Sequence, residues 1–244
     1  SLFFKGKSIE KKDWPRIVLC SFLGMSINML AFFKGLELST PVNSSVLITL
    51  APILVFIFSA LILKEKIRTM KAVGIIAGFI GALILILYTA KSGMNAPNIP
   101  LGNSLFILNS ASYGLYLVLI KPMIEKYDII TLLKWLFTIG LIINLPITYN
   151  GFININFVAL PFYDAILPIV YVIVGTTFFT YLLNAYALKN LTASSVSSFI
   201  YLQPIVGIVY AVGTKSDTLT LINVFGMLLI FLGIYLVTKK VEIE

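Results

Sequence analysis

KGLELSTPVNSSVLITLAPILVFI at residues 34–57 and YALKNLTASSVSSFIYLQPIVGIV at residues 186–209 are two copies of one apolar segment. The copies align without a gap when the residue numbers differ by 152. Identical positions are Leu36, Thr40, Ser45, Ile48, Leu50, Pro52 and Ile53, matched by Leu188, Thr192, Ser197, Ile200, Leu202, Pro204 and Ile205. Gly74 and Gly81 keep the same register with Gly226 and Gly233. The chain therefore contains an internal duplication.

Composition places this duplication in a lipid bilayer. Of 244 residues, 59% are hydrophobic and 11% charged, and the mean hydropathy is +1.01, so one water-soluble core cannot bury the apolar side chains. A bilayer needs about 20 apolar residues per helix. Windows of that length occur at 15–36, 42–63, 70–89, 101–121, 128–149, 164–187, 193–214 and 219–238. The sequence predicts an all-α, polytopic membrane helix bundle with eight transmembrane helices.

The basic residues predict the orientation of these helices. If the N-terminal stretch is cytoplasmic, 15 of the 18 Lys and Arg residues lie on the inner side, which the positive-inside rule favours. The inner set is Lys5, Lys7, Lys11, Lys12, Arg16, Lys64, Lys66, Arg68, Lys71, Lys121, Lys126, Lys134, Lys189, Lys239 and Lys240. We expect an integral protein of a bacterial inner membrane, with both ends of this chain in the cytoplasm. Basic residues at membrane edges also argue against a nucleic-acid partner.

An odd number of crossings separates the two copies, so the duplicated halves are predicted to be inserted in opposite directions. Residues 1–90 form the last three helices of the first repeat, 91–100 an inter-repeat loop, and 101–244 the five helices of the second repeat. The windows 101–121 and 128–149 have no duplicates here, so we expect ten helices in the complete protein. Inverted repeats are typical of secondary transporters that work by alternating access.

Four motifs of the first repeat recur in the second. They are FFKGLELSTP, SSVLITLAP, the acidic loop KEK at 64–66 and GIIAGFIGA, repeated as NAYALKNLTAS, SSFIYLQP, Asp217 and GMLLIFLGI. This pattern resembles the EamA-like family of the drug/metabolite transporter superfamily. NSASYGLYLVLIKP at 109–122 is similar to the helix that opens the family's second repeat. The resemblance implies ten helices and a central cavity lined here by the windows 15–36, 42–63, 101–121, 164–187 and 193–214. It departs at Asp217, which follows GTKS where the family usually has a glycine directly before a glutamate.

Polar residues at helical spacing within those windows are the candidate substrate-binding set. They are Asn28, Ser45, Thr49, Asn109, Tyr113, Tyr116, Thr180, Asn184, Ser197, Tyr201 and Gln203. Amide and phenol side chains at mid-depth rarely face lipid, so we expect them to face protein or a water-filled cavity. The alternative for Ser and Thr is a bond to their own helix carbonyls, or close helix packing.

Prolines and glycines form two further candidate sets. Pro52 and Pro204 lie near predicted helix centres, where each frees a carbonyl one turn earlier, and they are candidate hinges. A static bend kept through duplication is the alternative. The glycines predicted to pack helices closely are Gly74, Gly78, Gly81, Gly226 and Gly233.

Enzyme chemistry is not expected. The chain has no His and one Cys, Cys20, which excludes His-based triads, HExxH zinc sites and internal disulfides, so no metal and no cofactor are predicted. The acidic residues lie at helix ends or in loops, and Glu65 is expected to organise its loop by pairing, for instance, with Lys66.

The sequence therefore predicts a secondary transporter, an exporter or exchanger, for a small polar metabolite such as an amino acid. Its partners are that small-molecule substrate and the lipid bilayer, and the sequence leaves open whether it is a monomer or a dimer. A nucleotide-sugar or drug exporter of the same fold, and a non-transporting membrane receptor or scaffold, are the alternatives.

Opposite insertion of the repeats predicts that residues 91–100 and 239–244 lie on opposite sides of the membrane. Single cysteines placed in each segment, in a Cys20→Ser background, should react with a membrane-impermeant maleimide from outside only at 91–100. Labelling of both segments from the same side would contradict the inverted topology.

Overall fold

The computed structural model describes residues 8–66, 68–89, 96–213 and 220–239. In those ranges eight helices are long and apolar enough to cross a membrane. They are α1 (Lys11–Leu38), α2 (Pro41–Ile48 and Ala51–Ile62), α3 (Thr69–Thr89), α4 (Ile99–Lys126), α5 (Ile129–Ile153), α6 (Phe162–Asn190), α7 (Ala193–Ser198, Phe199–Leu202 and Gln203–Gly213) and α8 (Leu221–Thr238). Asp217, Lys215 and part of the predicted inter-repeat loop lie outside the described residues.

The predicted all-α membrane fold is confirmed, and the described residues contain no strand. The predicted windows and the observed helices agree to within about one turn, except at the end of α4. That helix continues through Pro122 to Lys126, whereas the window ended at residue 121. Met123 and Ile124 are buried, so their packing holds a helical turn that proline weakens.

The chain forms two compact units, and each takes helices from both predicted repeats. The first unit contains the residues up to Ser26 together with Leu119–Leu191, and the second contains Ile27–Val118 together with the residues from Thr192 onward. The helices α1 and α4 therefore contribute residues to both units.

Glycines allow α3 and α8 to pack closely in the second unit. A Cβ atom on Gly74 would lie 2.7 Å from the carbonyl oxygen of Gly233, and one on Gly81 would lie 2.7 Å from that of Gly226. A Cβ on Gly78 would lie 2.5 Å from the ring of Tyr201. These distances leave no room for a side chain, so the two backbones are in direct contact.

The order of these contacts makes α3 and α8 antiparallel. From Gly74 to Gly81 on α3, the contact on α8 moves backwards, from Gly233 to Gly226. Gly74 thus contacts Gly233, the duplicate of Gly81, and Gly81 contacts Gly226, the duplicate of Gly74. Such a reciprocal pattern is produced by a two-fold axis perpendicular to both helices. For helices that cross a bilayer, such an axis lies in the membrane plane, as inverted repeats require.

Local structure repeats at the same offset as the sequence. The helical segments that begin at Asn28, Pro41, Ala51 and Thr69 have duplicates that begin at Thr180, Ala193, Gln203 and Leu221. The N-caps repeat as well: the Thr40 hydroxyl accepts the Asn43 N–H at 3.2 Å, and the Thr192 hydroxyl accepts the Ser195 N–H at 3.2 Å. The duplication has therefore preserved helix starts, caps and breaks together.

In the first unit, α1 packs on α5 around a π-helical stretch at Phe22–Ile27. Neighbouring helices bond to the carbonyl groups of this stretch: Asn144 Nδ2 on α5 donates to the Met25 oxygen at 3.0 Å, and Tyr181 Oη on α6 donates to the Gly24 oxygen. Lipid offers no hydrogen-bond donors, so these side chains stabilise the irregular turn.

An ionic cluster lies at the start of α1 in the first unit. Lys126 Nζ pairs with Asp13 Oδ2 at 2.5 Å and with Glu10 Oε1 at 2.8 Å, and Tyr127 Oη donates to Asp13 Oδ2 at 2.6 Å. Hydrogen bonds from Lys126 and then Lys12 hold the pKa of Glu10 below its ordinary value. The cluster joins the segment before α1 to the end of α4.

Glu65 lies near the start of α3 in the second unit, but its partner differs from the expected one. Its carboxylate pairs with Lys71 at 3.4 Å and accepts a hydrogen bond from Ser194 Oγ at 3.4 Å, and no ion pair with Lys66 occurs among the described residues. Lys71 Nζ also donates to Thr192 Oγ1 at 2.9 Å. The tertiary fold brings α7 to this point, which loop sequence alone does not predict.

The glycine contacts predict a contrast between substitutions. Gly74→Ala and Gly81→Ala should each lower the free energy of unfolding by about 1–3 kcal/mol, because the added methyl group meets backbone. Gly207→Ala is the control, since nothing lies within 4 Å of its Cβ position. Thermal unfolding of the purified variants in neutral detergent should show a lower midpoint for the first two only. Equal midpoints for all three would contradict the packing.

Candidate functional site

Two asparagines of the candidate set meet in the second unit. Asn109 Nδ2 on α4 donates to the backbone oxygen of Asn28 on α1 at 2.8 Å, and Asn28 Nδ2 donates to the backbone oxygen of Asn109 at 3.2 Å. Both lie well inside membrane-length helices, Asn109 buried and Asn28 half-buried. The paired amides link α1 and α4 well inside both helices.

The polar face of α4 continues beside this amide pair. Ser112 Oγ donates to the Asn109 oxygen at 2.9 Å. The rings of Tyr113 and Tyr116 follow within two turns, with centroids 6.3 Å apart, Tyr116 buried and Tyr113 half-buried. Ser110 Oγ donates to the Leu47 oxygen of α2 at 3.1 Å. Amide and hydroxyl groups of α4 therefore bond to α1 and α2, and two phenol rings follow along the same helix.

Both prolines of the candidate hinge set lie just after a break in their helices. In α2, the N–H groups of Thr49 and Leu50 bond three residues back, at 3.2 Å each, and a new helical segment begins at Ala51, so Pro52 is its second residue. In α7, Pro204 is likewise the second residue of a segment that follows a 3₁₀ turn at Phe199–Leu202. Proline lacks the N–H that would continue the preceding helix, which accounts for the position of both breaks.

Hydroxyl groups of the candidate set mostly bond to their own helices. Ser45 Oγ donates to the Pro41 oxygen at 2.9 Å, and Thr49 Oγ1 donates to the Val46 oxygen at 2.6 Å. Ser197 Oγ donates to the Ser194 oxygen at 3.1 Å. These bonds match the alternative given in the sequence analysis, in which Ser and Thr bond to carbonyl groups of their own helix. Ser45 is exposed, whereas Thr49 and Ser197 are buried.

The remaining candidate residues are described within their own units. Tyr201 is buried in a core with Ala82 and Ile230, its ring lies against Gly78, and its hydroxyl has no partner among the described residues. Gln203 is exposed. In the first unit, Thr180 is exposed and bonds to the Gly175 oxygen at 3.3 Å, and Asn184 is half-buried. Their role in substrate binding stays a prediction.

Sequence reasoning missed several polar contacts at irregular turns. Ser110, which bonds to the broken part of α2, and the pair Asn144 and Tyr181, which bonds to the π-helical stretch of α1, were not among the candidates. Two features of the sequence could have indicated these residues: Asn144 is an isolated amide in the apolar run LIINLP, and Tyr181 directly follows the candidate Thr180. Neither signal specifies a backbone carbonyl as the partner, because that partner lies on another helix.

The groups at the amide pair are neutral, and they leave acceptors available. Among the described residues no donor bonds to the Oδ1 atom of Asn28 or of Asn109. The described residues also contain no group of three or more His, Cys, Asp or Glu side chains that could hold a metal ion. The amide pair therefore presents neutral hydrogen-bonding groups.

Comparison with known proteins gives one consistent family. The model of the EamA-like transporter family matches residues 1–87 and 100–239. The chain is 31% identical over 235 residues to an uncharacterized transporter of Archaeoglobus fulgidus, an alignment that covers 96% of this chain and 81% of that protein. It is 24% identical over 241 residues to YyaM, an uncharacterized transporter of Bacillus subtilis, with 97% and 77% covered.

A solved crystal structure shares the fold. It superposes with a TM-score of 0.75 over 91% of this chain and 75% of that chain, at 17% sequence identity. At this level of sequence identity, the similarity supports the fold alone.

The matched breaks in α2 and α7 predict an effect on transport. Pro52→Ala and Pro204→Ala each restore an N–H that can close the break, so both should slow uptake of a labelled amino-acid mixture into vesicles without abolishing expression. Pro146→Ala, in the middle of α5, is the control. Uptake rates are compared at equal protein content, and unchanged rates for Pro52→Ala and Pro204→Ala would favour static bends.

Proposed function

Because this chain belongs to the EamA-like transporter family, we propose that it is a secondary transporter that moves a small polar metabolite, such as an amino acid, by alternating access. The resemblance noted in its sequence is confirmed, and it is an integral membrane protein of a family of transporters. The solute, the mechanism, the orientation and the cell membrane as its location belong to the proposal.

The amide pair is the observation that supports a small polar solute. An amino acid carries an ammonium group, and the side-chain oxygens of Asn28 and Asn109 are acceptors for such a donor. Asn28 Nδ2 and Asn109 Nδ2 each use one of their two N–H groups between the helices, at 3.2 and 2.8 Å, so each amide keeps one N–H donor beside its Oδ1 acceptor. Neutral oxygens bind a donor without the cost of burying a fixed charge in the membrane.

Charge distribution weighs against a nucleotide sugar, the runner-up substrate. Proteins bind phosphate groups with Arg or Lys. In the described part of the chain, basic side chains lie near helix ends, as Lys71 does in α3 and Lys134 in α5. A diphosphate at the depth of Asn109 would therefore lack a cation there.

Antiparallel packing of the duplicates α3 and α8 supports alternating access. Two elements with the same sequence pattern and opposite direction can exchange conformations, and that exchange turns an outward-open form into an inward-open form. The matched breaks at Thr49 and Tyr201 give each half an equivalent position at which a helix can bend.

Counterflow in proteoliposomes tests the proposed transport. Vesicles preloaded with unlabelled amino acids should accumulate the labelled amino acid transiently, and vesicles preloaded with nucleotide sugars should not. A thermal-shift screen of the same compounds identifies the individual solute, since a ligand that binds the folded protein stabilises it. Stabilisation without accumulation would favour a receptor over a transporter.

Substitution at the amide pair should weaken solute binding. Asn28→Ala and Asn109→Ala each remove one acceptor, so the KM of counterflow should rise about fivefold to tenfold, in line with the loss of one hydrogen bond. Asn150→Ala, an exposed asparagine in α5, is the control and should keep the original KM. An unchanged KM in both amide variants, with intact folding, would exclude this pair from the binding site.

A further inference from the structure

The connection between α2 and α3 carries three exposed cations. Lys64, Lys66 and Arg68 lie within five positions, and none of them forms an ion pair with a residue that the structure describes. We call this set the basic turn. Charged side chains at a membrane edge that lack protein partners are available to external anions.

The one acidic residue in this stretch does not neutralise the basic turn. Glu65 pairs with Lys71 at 3.4 Å and accepts a hydrogen bond from Ser194 Oγ. Its side chain is only 20% exposed. The carboxylate is therefore directed to α3 and α7, and three positive charges remain. Lys64 has a positive φ of 54°, a conformation usually left to glycine, where the chain turns at the end of α2.

Exposed apolar side chains flank the basic turn on both sides. Leu61 and Ile62 at the end of α2 are 71% and 41% exposed, and Met70 and Val73 at the start of α3 are 39% and 50% exposed. In membrane-length helices such side chains contact acyl chains. Cations directly beside lipid-facing side chains match the two parts of a phospholipid, a headgroup phosphate and its fatty acyl chains.

The duplicated half provides an internal comparison. At the offset of 152 residues, Lys64, Lys66 and Arg68 correspond to Ser216, Thr218 and Thr220, which carry no charge. Helix starts and caps are preserved between the halves, but these three cations are not. The basic turn is thus a feature of one copy and one membrane face, not a general property of the repeat.

We propose that the basic turn, with the flanking residues Leu61, Ile62, Met70 and Val73, is a docking surface for an anionic phospholipid. The cations bind the headgroup phosphate, and the apolar residues contact the acyl chains. A freely diffusing phosphate ester could contact only the cations, not the apolar residues. We therefore assign the surface to a lipid. Docking of lipid does not depend on which solute is transported.

Native mass spectrometry of the purified full chain tests this assignment. The protein in neutral detergent is titrated with phosphatidylglycerol and, separately, with phosphatidylcholine. The unmodified chain should bind phosphatidylglycerol more tightly than phosphatidylcholine. In K64Q/K66Q/R68Q its affinity should fall at least about tenfold, since each basic residue near an anionic surface contributes about fivefold, and the remaining binding should no longer distinguish the two lipids.

A charge-matched variant separates a local surface from diffuse attraction. K12Q/K134Q/K189Q removes three exposed cations of the first unit and should keep phosphatidylglycerol binding. The charge-preserving variant K64R/K66R/R68K should also keep it. The assignment would be overturned if both glutamine triple variants lost phosphatidylglycerol affinity equally. It would also be overturned if K64Q/K66Q/R68Q kept the original affinity.

A soluble competitor distinguishes lipid from a free phosphate ester. Excess glycerol 3-phosphate should leave phosphatidylglycerol bound, whereas complete displacement would identify a site for a soluble anion and overturn the assignment. Thermal unfolding in neutral detergent checks that each variant is folded. If K64Q/K66Q/R68Q fails that check, the single variants K64Q and R68Q are titrated instead, and unchanged affinity in both would count against the surface.

Discussion

Direct backbone contact between α3 and α8 is the constraint on which the rest of the second unit depends. The two helices approach so closely that a methyl group at Gly74 or Gly81 would lie 2.7 Å from a carbonyl oxygen of the other helix. In lipid, helix association gains little from the hydrophobic effect, so close packing and interhelical contacts must supply it. The contact also joins the duplicates themselves, in opposite directions, which places the two-fold relation of the halves at this interface.

Irregular backbone inside the bilayer needs donors and acceptors from neighbouring helices. Lipid supplies none, and such partners are present at two interruptions, the break in α2 and the π-helical stretch of α1. Ser110 on α4 bonds to Leu47 where α2 breaks, and Asn144 and Tyr181 bond to the π-helical stretch of α1. These two positions are thereby tied to specific side chains on other helices, so a bend at either of them alters the packing of its neighbours.

In the described ranges, charged side chains lie near the ends of the helices, and their distribution differs between the duplicated halves. Ion pairs such as Lys126 with Asp13 in the first unit and Lys71 with Glu65 in the second lie near helix ends, while the groups around Asn28 and Asn109 are neutral. The proposed polar solute is assigned to the neutral groups, and the proposed lipid headgroup to charged side chains. The two proposals thus rest on different parts of the structure, the amide pair of α1 and α4 and the basic turn between α2 and α3.

The sequence by itself determined the eight helices, the duplication and the family, because hydropathy and a constant offset of 152 residues are properties of the chain alone. It did not determine that Pro52 begins a helical segment rather than bends one, or that Glu65 pairs with Lys71 rather than with Lys66. It also listed Asn28 and Asn109 without their mutual bonds. Only the tertiary structure decided these points, because the partner of a polar group in lipid is a residue on another helix, and sequence spacing measures distance along one helix only.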